Sequence, residues 1–440
     1  MLSLQTSKEL GRWYKLIEHP VQAALVAAVG NGVRFPVVPA GRRSGKTERA
    51  KRFVAKQAMK NPNERYFIAA PTRDQVKKIY WADMKQLCLC SLQKKAPSET
   101  DLIIYMDNGS EVHLIGLDKP ERIEGILWTG GVIDEIADVK PDAWEANIRP
   151  ALDTFNPTRP EYRAWCWLIG VPDGLNHYYD MAKYAETAND PEWKCYHWKS
   201  SEILPAETIA AAKRHMSMRQ YKQEYEADFV GATGRIYEDY STDNHTDAVI
   251  EPHEQLLWMH DQNFTPLSSA VGVRRNDGMS LLLLDEIVLT SAVSKQSAIE
   301  FVDKFKDHQN KHVLIYGDPA GQAGDKHGHA SDYVDIESVL KANGWTFTRK
   351  VKPAHPSIKD RQNSVRAMIC TADGNRRLFV NPVTAKWCDK GLSTVQLQEG
   401  SSFQEDQRNK YQHITTAIGY CIDVEWPVIK RIATIQPLRV

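Results

Sequence analysis

Through the first half of the chain, short apolar runs alternate with segments of helical spacing. Residues 35–40 read as a strand. Residues 48–60 follow as a helix with Ala50, Phe53, Val54 and Ala58 on one face, and Asn61-Pro62 ends it. Further strands are expected at 66–70, at 112–116, in a run ending at 131–133, and at 164–169. Strands that alternate with helices predict an α/β fold with a mainly parallel sheet. Residues 206–229 read as a charged helical stretch. Gly231-Ala232-Thr233-Gly234 and a polar run at 241–247 mark a break. A second α/β pattern follows, with strands at 281–288 and 313–317. A helix is expected over 331–342, capped by Ser331 and closed by Asn343-Gly344. The expected division is an N-terminal domain over 1–235, a linker over 236–248 and a C-terminal domain over 249–440. No internal repeat is visible.

Composition narrows the class. A chain of 440 residues exceeds one ordinary core, and its apolar and charged content is that of a soluble globular protein. No apolar run approaches the length of about 18 residues that a membrane span needs, and residues 1–10 lack a signal-peptide pattern. The seven cysteines are scattered without a C-x-x-C pair, which argues against a zinc site or disulfide framework and suits a reducing compartment. Net charge is zero, so any contact with DNA must come from local patches.

Candidate chemistry begins at Gly41-Arg42-Arg43-Ser44-Gly45-Lys46-Thr47, between an expected strand and an expected helix. A glycine-bearing loop in that context cradles phosphates with backbone N–H groups and a helix N-terminus. Lys46 would reach the outer phosphates and Thr47 would ligate Mg²⁺. The usual first glycine is replaced by Ala40. Val132-Ile133-Asp134-Glu135 supplies the second element, an apolar strand that delivers two acids at its end. Asp134 would hold Mg²⁺ and Glu135 would polarise the attacking water. The bland alternatives are a chance turn and an ordinary strand end.

With its surroundings, this pair resembles the large terminase subunits of tailed double-stranded DNA phages. Four further segments carry the likeness: His19-Pro20-Val21-Gln22, Ala70-Pro71-Thr72-Arg73-Asp74-Gln75, Arg122-Ile123-Glu124-Gly125 and Gly170-Val171-Pro172-Asp173-Gly174. The resemblance implies a P-loop ATPase in which Gln22 reads adenine. Gly41, Ser44, Gly45, Lys46, Thr47 and Asp134 would bind Mg²⁺ and ATP. Gly170, Pro172 and Gly174 would couple hydrolysis to movement. Arg42 or Arg43 would sense the γ-phosphate in cis, and Arg122 would serve as a finger in trans.

The second half resembles the RNase H-like nuclease domain of the same family. Trp258-Met259-His260-Asp261, continuing into Gln262-Asn263-Phe264-Thr265-Pro266, resembles its first strand. Leu314-Ile315-Tyr316-Gly317-Asp318-Pro319-Ala320-Gly321 resembles the strand that delivers a second acid. The likeness implies that Asp261 and Asp318 hold two Mg²⁺ or Mn²⁺ ions that clamp the attacking and leaving oxygens. Tyr411-Gln412-His413-Ile414-Thr415-Thr416-Ala417-Ile418-Gly419-Tyr420 resembles the C-terminal helix, but Thr416 stands where the family has an aspartate. A neutral hydroxyl is a poor ligand for a hard cation. His413 and Glu286 are possible helpers, whereas Asp423 lies too far along the helix to serve the same ion. Thr416 reads either as a deliberate inactivating change, the favoured view, or as a natural incomplete triad.

Lys350, Lys352, Lys359 and Arg361 form a basic cluster, expected to line a DNA path, and Lys213-Arg214 and Arg376-Arg377 form others. The implied function is packaging of double-stranded DNA into a procapsid. The implied partners are the portal protein, a small terminase subunit and further copies in a ring of five. The implied location is the host cytoplasm at the portal vertex, absent from the finished virion. The rivals are a helicase–nuclease of repair or restriction, and a nuclease-dead assembly protein.

Overall fold

The structure is a computed structural model that describes residues 11–427 except 156–160, 232–233, 262–265, 291, 323–330, 399–400 and 402. Ala232, Thr233 and the stretch 262–265, which entered the sequence reading, therefore lie outside the described residues. The chain forms two compact units. One comprises Met1–Ile209 with Lys222–Gly231, the other Ala210–Tyr221 with Ala232–Val440.

The first unit is built on a seven-stranded sheet. Its strands are β1 (Phe35–Pro39), β2 (Arg65–Ala70), β3 (Ile103–Tyr105), β4 (Glu111–Gly116), β5 (Gly130–Asp134), β6 (Trp165–Gly170) and β7 (Trp193–Cys195). They lie in the order β3-β4-β2-β5-β6-β1-β7, and every pairing is parallel except β3 with β4. Strand parity explains why the runs read as continuously apolar: Val38 and Ala40 enter the core on one face, Phe35 and Val37 the core on the other. Helix α1 (Lys46–Lys60) lays Ala50, Phe53, Val54 and Ala58 against the sheet, with Phe53 stacked on Trp167 at 4.3 Å. The expected strands appear with ends moved by a residue or two. The stretch expected to be helical over 206–229 breaks into Ala206–His215 and Met218–Tyr225.

The second unit holds a six-stranded sheet of β8 (Leu256–Asp261), β9 (Leu267–Arg275), β10 (Ser280–Leu289), β11 (His312–Gly317), β12 (Thr346–Arg349) and β13 (Leu378–Val380). The order is β12-β11-β8-β9-β10-β13. β8, β9 and β10 form an antiparallel meander, and β11 and β12 add in parallel beside β8. That is the RNase H-like arrangement. Helices α2 (Ser294–Lys304) and α3 (Asp332–Ala342) cover one face, where Phe301 stacks on Trp258 at 4.1 Å. The expected cap is present: the Ser331 side chain accepts from the Val334 N–H. Helices α4 (Ile358–Ile369), α5 (Lys386–Thr394) and α6 (Gln412–Glu425) cover the other face. Among the described residues, no helix is long and apolar enough to cross a membrane.

Candidate active sites

In the first unit β6 lies between β1 and β5, so three strand ends stand in a row. The C-terminal edge of such a sheet is where α/β folds bind ligands. β1 releases the loop 41–45, β5 ends on Asp134 and β6 ends on Gly170. Position 41 must be glycine for packing: a Cβ there would come within 2.3 Å of Ser200 Oγ and 2.7 Å of the Tyr225 carbonyl oxygen. Gly45 has a left-handed φ of +91° and leads straight into α1. The loop is tied down by Ser44, whose Oγ donates to the Gly41 carbonyl at 2.6 Å. Trp198 Nε1 donates to Ser44 Oγ at 2.8 Å, and Gln22 Nε2 donates to the Ser44 carbonyl at 2.8 Å.

Lys46 is buried, and its ammonium lies 3.4 Å from the Glu135 carboxylate. Thr47 Oγ1 donates to Asp134 Oδ2 at 3.0 Å. Asp134 has no exposure, and burial followed by the Glu135 charge pushes its pKa up. Three donors offset that cost: Thr47, the Tyr80 hydroxyl at 2.6 Å, and the Glu135 N–H at 3.0 Å. Glu135 itself sits at φ 51°. A left-handed backbone costs a non-glycine residue roughly 1–2 kcal/mol. That bend accompanies two contacts: the carboxylate reaches Lys46 and accepts from the Val171 N–H at 3.4 Å. The acid opposite the lysine thus also touches the segment that follows β6. A hydroxyl and a carboxylate side by side suit a hard cation, and a lysine beside a glycine-bearing loop suits phosphates. The residues present therefore fit Mg²⁺ and a nucleotide.

The remaining first-half candidates are placed as follows. Gln22 has both ends of its amide in use, because Oε1 accepts from Arg49 Nε at 2.7 Å. In this arrangement it braces the loop rather than offering an edge to a base. Arg42 pairs through Nε with Glu224 at 2.7 Å, and Arg43 is an exposed residue with φ 61°. Arg122 lies on a short turn and faces Asp118 at 3.8 Å. Pro172 is buried, and Gly174 has a φ of 65° that favours glycine.

In the second unit, parity brings the acids together. Leu257, Met259 and Asp261 alternate onto one face of β8, as Leu314 and Tyr316 do on β11, and Asp318 continues that series. The register pairs Gly317 with His260, so Asp318 follows beside Asp261 at the strand ends. Helix α6 crosses this face. Its His413 places Nδ1 3.0 Å from Asp261 Oδ2, while His355 Nε2 lies 3.5 Å from Asp318. Burial raises the Asp261 pKa against the opposing pull of His413. Neighbouring His260, on the opposite face, is fully buried and pushed down to about 3.

Several expectations change here. Thr416 does not join the two acids as a third ligand. Its hydroxyl donates to Glu405 Oε2 at 3.2 Å and accepts from Arg361 and Gln412. Glu286 accepts from the Trp387 and Cys388 N–H groups, with its closer oxygen 2.8 Å from Trp387 N. It caps α5 and is no helper to a metal. The basic cluster is also mostly spent internally: Lys350 pairs with Glu425, Lys352 with Asp423, and Arg361 is buried. Arg376 donates to the Asp239 carbonyl and Asn244. Among the described residues, no group of three or more His, Cys, Asp or Glu is placed to hold a metal ion.

No family model matches the chain. The large terminase subunit of Escherichia phage T5 is 27% identical over 221 residues, which cover 48% of this chain and 48% of that protein. That of Thermus phage G20c is 20% identical over 259 residues, covering 51% and 52%. The chain spans about half the length of the curated relatives it matches. In fold, the large terminase of a thermophilic bacteriophage superposes with a TM-score of 0.58 at 16% identity, covering 96% of this chain and 98% of that one. The same protein in complex with ATP-gamma-S gives a TM-score of 0.56. The chain resembles phage large terminase subunits.

Within this terminase-like frame, sequence reasoning missed Tyr80, Arg361's burial and Glu405. Tyr80 lies in a π-helical turn, Lys77–Trp81, with no spacing signal toward Asp134. Glu405 lies in an irregular segment before α6, where an acid reads as surface. Gly419 was the one available hint, a glycine inside a buried helix.

Proposed function

We propose that the chain is the large subunit of a viral DNA-packaging terminase, with a motor over 1–235 and a nuclease over 249–440. ATP hydrolysis in the motor drives double-stranded DNA into a procapsid, and the nuclease cuts concatemeric DNA. The observation that carries this reading is the set of strand-end groups Lys46, Thr47, Asp134 and Glu135, in one chain with an RNase H-like sheet whose strand ends bring Asp261 and Asp318 together.

In the motor, Lys46 holds the outer phosphates, Thr47 and Asp134 hold Mg²⁺, and Glu135 orients the attacking water and accepts its proton. Mg²⁺ supplies charge neutralisation on the phosphates. Because Glu135 touches Val171, a change at the γ-phosphate is passed to residues 170–174. Arg122 acts on a neighbouring subunit's nucleotide, which requires a ring of copies docked on a portal in the host cytoplasm. A small subunit selects the DNA.

Phosphate release is the first test. The Glu135→Gln chain should bind ATP normally yet lose about 10²–10⁴-fold in turnover, while Lys46→Ala should lose binding. For the nuclease half, Asp261→Asn should abolish Mn²⁺-dependent cleavage of supercoiled plasmid. Undiminished phosphate release in Glu135→Gln would refute the motor assignment, and undiminished cutting in Asp261→Asn the nuclease assignment.

A further inference from the structure

The position of the missing third acid is occupied by a built structure. Arg361 runs along α6 where Gly419 leaves room: a Cβ at 419 would lie 2.8 Å from Arg361 Cγ and 2.9 Å from Cδ. Its guanidinium sits 5.2 Å from the Tyr420 ring centroid. It pairs with Glu405 Oε1 at 3.2 Å, with both side chains almost wholly buried. Gln362 Nε2 also donates to Glu405 Oε1 at 3.1 Å, and Gln412 Nε2 donates to Thr416 Oγ1 at 3.2 Å. Burial works to lower the Arg361 pKa, but Glu405 and the neighbouring tyrosines outweigh it, so the residue is a permanent cation. It donates to the Thr416 hydroxyl at 3.4 Å, at the very position where the third acid is missing.

Two divalent ions bring four positive charges. The two strand-end acids supply two negative ones, the position at 416 supplies none, and Glu405 is committed to Arg361. The described residues therefore do not fit a two-ion centre. They suit one hard ion that keeps several waters and takes one or two carboxylates. We propose that the second-unit centre binds a single divalent cation at Asp261 and Asp318, and that the Arg361 guanidinium is the fixed second positive charge of the site. This rests on the nuclease reading above. It also explains Thr416 as a native part of the centre, because an aspartate there would face Glu405 and compete with it for one arginine.

The ion count decides it. Bound Mn²⁺ is measured on the full chain without nucleotide, from the loss of the free-ion paramagnetic signal, for the unaltered chain and for Asp318→Asn. The difference isolates this centre from the motor, and one ion is expected. A difference of two overturns the single-ion centre but leaves the nuclease reading standing. No difference overturns both. A second comparison uses the charge-neutral double change Arg361→Gln with Glu405→Gln, checked for folding by thermal melting. With the nearby cation gone, Mn²⁺ should bind about threefold or more tightly, while plasmid cleavage at saturating Mn²⁺ falls at least about tenfold. Affinity and cleavage falling together would make the pair a mere scaffold and overturn the proposal, as would cleavage at the unaltered level.

Discussion

Replacing Tyr80 by Phe removes one atom from a fully buried contact with Asp134, and its effect should appear only when a cation is present. The hydroxyl donates to Asp134 Oδ2 at 2.6 Å, the same oxygen that takes the Thr47 hydroxyl. The ring is packed in the apolar core beside Tyr66, Trp81 and Met84, so Phe leaves no sizeable void. What is lost is a hydrogen bond to a charged group, typically about 1.5–3 kcal/mol. That loss falls on the ionised carboxylate, because burial already raises the Asp134 pKa and Tyr80 is one of the groups pulling it back. At 1.4 kcal/mol per tenfold, Mg²⁺-dependent ATP affinity should fall roughly 10- to 100-fold. Binding of a fluorescent ATP analogue without Mg²⁺ should hardly change, since the loop and Lys46 are untouched. Titrations of the unaltered and Tyr80→Phe chains, with and without Mg²⁺, separate the two contributions. If the gain from Mg²⁺ stays within about twofold while the fold is intact, the hydroxyl does not support the ion site and the reasoning fails.

Three further outcomes follow from the same contacts. Gly41→Ala would push a methyl group into Ser200 and the Tyr225 carbonyl, so ATP binding should weaken at least about tenfold, read by the same titration. Glu286→Ala removes the N-terminal cap of α5 and should cost about 1–2 kcal/mol in urea unfolding, with no change in Mn²⁺ bound, since its carboxylate faces Trp387 and Cys388. Asp83 accepts from Lys51 at 2.6 Å and from Arg12 at 3.0 Å; burial raises its pKa, but the two cations outweigh it and the net shift is downward. A depressed acid stabilises the fold above its unfolded value, near 4, and loses that contribution as pH falls through the folded value. The stability difference between the unaltered chain and Asp83→Asn should therefore be about 2 kcal/mol at neutral pH and shrink below about pH 4. A difference that is flat from neutral to acid pH would contradict it.

What could be read from the sequence was local. The strands of the parallel sheet were legible because both faces are buried, which makes apolar runs unbroken. The cap at Ser331 was legible because it depends on neighbours three residues away. β9 was missed because Leu267-Ser268-Ser269-Ala270 is buried yet small and polar, and β12 because it is a mostly exposed edge. The basic cluster misled for a different reason. Charge is visible along the chain, but the acids that neutralise Lys350 and Lys352 lie on α6, more than 70 residues on. Likewise Tyr80 meets Asp134 across 54 residues, and Arg361 meets Thr416 across 55. Partners at that distance are set by packing, which no spacing rule contains.

The two sites share a construction and differ in how each buried acid is supported. Each places a carboxylate at the end of a strand, pushed up by burial, on an edge where parallel strands run side by side. Asp134 is supported by the charge of Lys46, which also reaches Glu135, and by the hydroxyls of Tyr80 and Thr47. Asp261 is supported by a histidine and by the field of Arg361, which lower the cost by partly cancelling the charge.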